Sequence, residues 1–354
     1  MSKMKVGIIG SGGRSVLYIK ALQSLREDFD IVSMRFRTQE KADKFKSEYD
    51  IPVTTSMDEF KSSKPDFVVD VVGYFDVCKA AVDLLNDDIP VLTETPPAVS
   101  IQDLKDLWNL SVSKKSKILV AENYFEEPLY AAKIEAVKRG YLGDTQTVTI
   151  SNTHEYHAIS LMRIMLDEMN SPLTIVGKKM DLDLAVTQDK DGNPVHDGGV
   201  NKSERYHLTL NFSNNKTGFY DFAIAQYWSA IRSRYMMVQG SHGEIKDDNL
   251  WYLDKNNNPR QSSFRTNVDS NGGLISVSID DDIVYTNRLL SKGIGDNIDV
   301  CNMLLNMKNY LETGYAPYPF ADGMQDAYIT QLFWECGQRP FEVIASEKMP
   351  WQIN

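Results

Sequence analysis

Between an apolar run, Val6–Ile9, and a helical pattern starting at Arg14 stands Gly10-Ser11-Gly12-Gly13-Arg14-Ser15. It departs from Gly-x-Gly-x-x-Gly only at the last place, where Ser15 replaces a glycine. Gly10 permits a tight turn, and Gly12 with Gly13 lets backbone amides approach a pyrophosphate at the positive end of the following helix. The alternative is a bare glycine turn with no ligand. A second set of chemistry-bearing residues is His154-Glu155-Tyr156-His157. An imidazole's unperturbed pKa lies near neutrality, so in its neutral form His157 can take the proton of a hydroxyl. His154 beside it, with Glu122 and Tyr124 from an adjoining segment, can supply a further acid or base. The spacing is not that of His-Glu-x-x-His, so no metal is expected. Arg232 and Arg234, close to Tyr227 and Trp228, are candidates to bind a carboxylate, a phosphate or a sugar hydroxyl, or form a solvated strand face. Asp280-Asp281-Asp282 reads as a hairpin tip.

These residues need a scaffold, and the apolar pattern supplies one. Short β-branched runs at Val6–Ile9, Ile31–Phe36, Phe67–Val72, Val91–Glu94 and Ile118–Ala121 alternate with helical periodicity at Arg14–Leu25, Glu40–Tyr49, Asp76–Leu85 and Ile101–Ser111. That alternation is the mark of βαβ units and a doubly wound parallel sheet, a Rossmann domain over residues 1–121. Ser100 is placed to cap the last of these helices. From 122 to 354 the texture changes. A helix at Leu129–Arg139 precedes alternating segments at Thr145–Asn152, Arg205–Phe212, Gly218–Ala225 and Tyr235–Gln239, and helices at Asn297–Leu311 and Asp322–Gln338 close the chain. The expectation is an α/β protein whose second domain is α+β, with a large, mainly antiparallel open sheet. Gln188–Gly199 and Asp254–Pro259 are rich in Asn, Asp and Gly and read as loops.

The second strand ends Met34-Arg35-Phe36-Arg37-Thr38, without the Asp or Glu that holds the ribose hydroxyls of NAD. A guanidinium there can pair with a 2′-phosphate while another plane stacks on adenine, which favours NADP over NAD. Gly73, after the third strand, joins the candidate cofactor edge.

Composition narrows the partners. The 354 residues are 42% hydrophobic and 25% charged, with a net charge of −11. Such a balance repels a phosphate backbone, so nucleic acid is not an expected partner. Cys78, Cys301 and Cys336 suggest neither a disulfide framework nor a zinc ribbon, which fits a reducing cytoplasm. No apolar run is long enough to span a bilayer, and no signal peptide is expected.

With the glycine turn, Val91-Leu92-Thr93-Glu94-Thr95-Pro96-Pro97, Ala121-Glu122-Asn123-Tyr124 with Pro128, Gly140–Asp144 and Val238–Glu244 in order, the whole chain resembles the glucose-fructose oxidoreductase, inositol dehydrogenase and MocA family. The resemblance implies NAD(P) in a crevice between the domains, a sugar or polyol substrate, and a homo-dimer or homo-tetramer built through the C-terminal sheet. It places Glu94, Thr95 and Pro96 at the nicotinamide, with a cis bond before Pro96. Two departures stand out. The family's Glu-Lys-Pro is here Glu94-Thr95-Pro96, and the Asp four residues before its histidine is Thr153, so only His157 survives of that set. The reading is an NAD(P)-dependent oxidoreductase. The alternatives are glycoside cleavage through transient NAD(P) redox and a non-catalytic NAD(P)-binding regulator.

Overall fold

The computed structural model describes residues 3–189 and 191–352. The first half builds β1 (Met4–Ile9), α1 (Gly13–Ser24), β2 (Phe29–Arg35), α2 (Gln39–Tyr49), β3 (Val53–Thr54), α3 (Met57–Ser62), β4 (Phe67–Asp70), α4 (Val77–Asn86), β5 (Val91–Thr93), α5 (Ile101–Lys114) and β6 (Ile118–Val120). The strands pair in parallel in the order β3-β2-β1-β4-β5-β6. Val6, Ile8, Val68 and Val69 are all fully buried, as a parallel sheet covered by helices on both faces requires. Ser100 caps α5, its Oγ accepting from the Asp103 amide at 3.1 Å. The chain reverses its strand order between β1 and β4, and a crevice opens at the carboxyl ends of those strands.

The second half adds α6 (Pro128–Lys138), β7 (Thr145–Ser151), α7 (Glu155–Leu166), β8 (Leu173–Ala185), β9 (Val200–Phe212), β10 (Thr217–Ala223), β11 (Tyr235–Gly240), β12 (Gly243–Lys246), β13 (Asn249–Leu253), β14 (Pro259–Val268), β15 (Leu274–Ile279), β16 (Asp282–Thr286), α8 (Ile298–Thr313), α9 (Phe320–Gln338) and β17 (Ile344–Ala345). Its strands form one open sheet, β16-β15-β14-β13-β12-β11-β7-β10-β9-β8-β17, antiparallel except where β10 runs parallel to β7. The chain is thus α/β, a doubly wound parallel sheet followed by a large mixed sheet. Asp280 and Asp281 sit at the hairpin tip between β15 and β16, and Asp282 opens the second of these strands.

Three of the features that differ from the pattern read in the sequence have a clear physical reason or consequence. α7 is not foreseen because it is buried all round: ten of its residues, from Tyr156 to Leu166, have almost no exposure, so no polar face marks its period. β8 hides behind its charge, with Lys178, Lys179, Asp181 and Asp183 along it. α8, although late in the chain, packs on α1, and Val300, Met303, Leu304 and Met307 join the core that holds β1, β2 and α1. Among the described residues no helix is long and apolar enough to cross a membrane.

Candidate active site

The glycine turn is shaped by backbone contact. Gly10 has φ +125°, and a Cβ there would lie 2.2 Å from the Val71 carbonyl oxygen, so only glycine fits. Gly12 and Gly13 are the opposite case, with no atom within 4 Å of an added Cβ, because their outer side faces open space. α1 begins at Gly13 with no acid in its first turn, leaving the positive end of the helix uncompensated. Ser15, in the third glycine's place, is fully buried and turns its hydroxyl inward. Above the turn lies a groove of about 830 Å³, lined by Gly10–Arg14, Arg35, Phe36, Arg37, Thr38, Lys41, Gly73 and Lys79 among others. A small-residue cradle, a bare helix N-terminus and a cationic far wall fit a dinucleotide with its phosphates on the turn.

At the far wall Arg35, Arg37 and Lys41 come together. Phe36 is 1% exposed and packs on Phe45 at 5.0 Å between ring centroids. Its ring therefore serves the core and cannot cover an adenine, which corrects any role for Phe36 beyond its backbone. Arg37 pairs with Asp76 across the groove at 2.5 Å, and both side chains are well exposed. Such a pair is weakly held and can give way to a better anion. Lys41 Nζ lies 3.5 Å from Ser11 Oγ, over the turn. Sequence reasoning missed Lys41 and Lys79; the one available signal is that Lys41 sits in the first turn of the helix leaving Thr38.

The strand end after β5 gives Glu94, half-buried Thr95, and buried Pro96 across a cis Thr95-Pro96 bond. Glu94 Oε1 accepts from Arg14 Nε at 2.8 Å, and Arg14 Nη2 donates to Asn123 Oδ1 at 3.1 Å. Asn123 in turn donates to Asp299 of α8. Arg14 thus ties the first turn of α1 to two crevice strands. Its guanidinium is already committed there.

His157 opens α7 two residues after its start, and the end of β6 presents Glu122 to it. His157 Nδ1 and Glu122 Oε2 are 2.6 Å apart, with Glu122 fully buried and His157 6% exposed. The second Glu122 oxygen accepts from the Tyr124 amide at 2.9 Å, fixing the carboxyl. The Tyr124 ring stacks on the imidazole at 4.1 Å, and the His154 ring meets it edge-on at 4.6 Å. Tyr227 organises the next layer: its hydroxyl lies 2.9 Å from His154 Nδ1 and 3.0 Å from Thr153 Oγ1, and it accepts from the His154 amide. Four of the sequence-derived candidates, His157, Glu122, Tyr124 and His154, are therefore one cluster. Tyr227, noticed in the sequence only as a neighbour of arginines, is its outer anchor.

Burial dominates the cluster's protonation. It pushes the Glu122 carboxyl up to about 8, opposed by the Tyr124 amide, and pushes His157 down to about 3, with the Arg14 charge adding to the effect. His154 is also lowered to about 3 by burial and by His157. All three shifts disfavour charge, so at neutral pH the Glu122–His157 pair is neutral overall and shares one proton. Loss of the other proton, the one on Nε2, leaves the shared proton on Nδ1, where Glu122 accepts it as a carboxylate, and frees the Nε2 lone pair. Among the described residues no hydrogen bond occupies Nε2, and no three His, Cys, Asp or Glu side chains are grouped as a metal would need.

Against known proteins, residues 4–122 match the model of an oxidoreductase family with an NAD-binding Rossmann fold, Gfo/Idh/MocA. The N-terminal domain belongs to that family. That family's Rossmann fold is an NAD-binding one. An L-aspartate dehydrogenase of Methanococcus maripaludis strain C5 is 28% identical over 178 residues, 49% of this chain and 64% of the relative. The chain thus spans less than two thirds of the curated relatives it matches. Among solved structures, GenD2 from gentamicin A biosynthesis, in complex with NAD, superposes with a TM-score of 0.69 at 12% identity, covering 98% of this chain and 97% of that one. A putative myo-inositol dehydrogenase of Sinorhizobium meliloti 1021 gives 0.67 at 14% identity over 97% and 99%. The likeness to these structures extends over both sheets and establishes the fold.

Proposed function

We propose that the chain is an NAD(P)-dependent oxidoreductase that converts a carbinol of a sugar or polyol-like substrate to the carbonyl, and the reverse, with NADP preferred. The observation that carries this reading is the Glu122–His157 pair, a buried proton-sharing couple whose imidazole has its Nε2 free to act as a base. The dinucleotide, held on the Gly10–Ser15 turn with Gly73 beside it and Glu94, Thr95 and Pro96 at the strand end, supplies the hydride acceptor or donor. The protein's own residues handle the proton. In oxidation the substrate O–H gives its proton to His157 Nε2 as the carbinol C–H bond breaks. Glu122, as a carboxylate on Nδ1–H, stabilises the imidazolium that results. In reduction the same nitrogen returns the proton to the new alkoxide.

This arrangement also accounts for the absence of the family's lysine. Thr95 has no charge to offer, but Glu122 brings a carboxylate into direct contact with the imidazole. His154, held neutral and hydrogen-bonded to Tyr227, borders the base and orients it. The NADP preference rests on Arg35, Arg37 and Lys41 at the groove wall and on the missing acid at the end of β2. The test is a panel of sugars, polyols and glycosides with NAD and NADP, followed by nicotinamide absorbance and by product analysis. Substrate-dependent formation of NADPH supports the reading. Glycoside cleavage with no net redox favours the elimination alternative, and cofactor binding with neither favours a regulator.

A further inference from the structure

Two arginines beside the candidate site have no role in it so far. Arg232 and Arg234 lie on the segment leading from Trp228 into β11, and Ser229 to Gly243 contains no acidic residue. Elsewhere most arginines of this acid-rich chain are paired, among them Arg14 with Glu94, Arg37 with Asp76, Arg139 with Glu135, Arg163 with Asp326, Arg205 with Asp221 and Arg288 with Glu126, while Arg26, Arg35 and Arg265 form no ion pair among the described residues. Among the described residues Arg232 and Arg234 make no such pair.

Arg234 is nonetheless held in place. Its guanidinium carbon lies 5.5 Å from the centroid of the Tyr227 ring, a cation–π contact that leaves the donor edges of the fork free. Tyr227 spends its hydroxyl on Thr153 and His154, so one phenol carries the base's neighbours on its oxygen and the guanidinium on its face. The Arg234 charge is also felt at the Tyr130 phenol, and Tyr130 packs on Tyr124, the ring that stacks on His157. Arg234 therefore stands at the rim of the aromatic wall around the base, linked to His157 through Tyr227 and His154 on one side and through Tyr130 and Tyr124 on the other.

An unpaired planar guanidinium with both donor edges open matches a carboxylate in geometry and charge better than it matches a neutral hydroxyl. We infer that the substrate of this site is a hydroxy acid, its carboxylate bound by Arg234 with Arg232 adding charge, while a carbinol farther along the molecule reaches His157. The inference rests on the oxidoreductase reading for the second half of that statement only. The local positive patch offsets a net charge of −11 that would otherwise repel an anionic ligand.

The test is isothermal calorimetry on the whole chain saturated with NADP, using matched pairs of acid and neutral ligand: D-glucuronate with D-glucose, and D-gluconate with D-glucitol. The acid of at least one pair should bind about 10-fold or more tightly than its neutral partner, and added salt should shrink that advantage. Arg234→Ala should lower the acid's affinity by about 10- to 100-fold and leave the neutral partner unchanged, and Arg234→Lys should restore part of it, since the charge returns without the fork. Arg234 is exposed, and a melting curve of each variant checks that the fold is retained. Equal binding of both members of each pair, or an acid preference that survives Arg234→Ala, would overturn the inference. Acids bound through Arg234 with no NADPH formed from any substrate would leave the anion site standing and remove the oxidoreductase reading. NADPH formed from neutral sugars with no acid preference would do the reverse.

Discussion

Replacing Glu122 by Gln keeps the side chain's size while removing the carboxyl that shares a proton with His157. In the native protein the pair loses its Nε2 proton near pH 8, the value to which burial raises Glu122. The base-competent form, with a carboxylate on Nδ1–H and a free Nε2, is then about a tenth of the molecules at pH 7 and about nine tenths at pH 9. Alcohol oxidation should therefore rise about tenfold over that interval, and carbonyl reduction, which needs the proton on Nε2, should fall over the same interval. In Glu122→Gln no carboxyl titrates, so the alkaline rise disappears. The turnover that remains depends on how the amide sits. If its oxygen accepts from Nδ1–H, the loss is that of exchanging a charged for a neutral acceptor, about 1–2 kcal/mol or roughly 10-fold. If its NH₂ faces Nδ1, Nε2 is locked as N–H and the loss approaches about 10⁴-fold, as for a wrong tautomer in a catalytic triad. The assay is steady-state nicotinamide absorbance from pH 6 to 10 on the best substrate of the panel. A Glu122→Gln protein with native turnover and a native pH profile would refute the shared-proton account.

Gly12→Val should abolish dinucleotide binding in direct titration without lowering the melting temperature appreciably, because the added side chain meets no protein atom and fills the space over the turn. Arg37→Asp should shift the preference from NADP towards NAD by at least about 10-fold in the ratio of dissociation constants, by exchanging a phosphate partner for a ribose partner. Arg163→Met should cost about 3–5 kcal/mol in chemical denaturation, because it leaves Asp326 buried beside Tyr318 without its cation.

The parallel domain was legible because its rules are local. A glycine turn between strand and helix, β-branched runs and the Ser100 cap each report on a few neighbouring residues, and the structure uses them all. The second domain was legible where strands alternate and illegible where burial removes the alternation, as in α7. The candidate site divides in the same way. His157 and Glu122 were visible as residue types, but their 2.6 Å contact joins positions 35 residues apart, and no spacing rule announces it. Phe36 shows the converse. Its place between two arginines suggests a stacking surface, whereas alternation along β2 sends its ring into the core and leaves the flanking residues on the groove. Arg14 reads in the sequence as one more residue of the dinucleotide turn, and only the fold reveals that Glu94 and Asn123 hold it.

The most direct test of the central claim is His157→Ala, compared with the native protein for single-turnover reduction of the bound nicotinamide and for cofactor affinity. The account predicts a rate lower by about 10²-fold or more with the dissociation constant for NADP unchanged, since the imidazole acts on the reacting proton and not on the dinucleotide groove. An unaltered rate on the native substrate would contradict it.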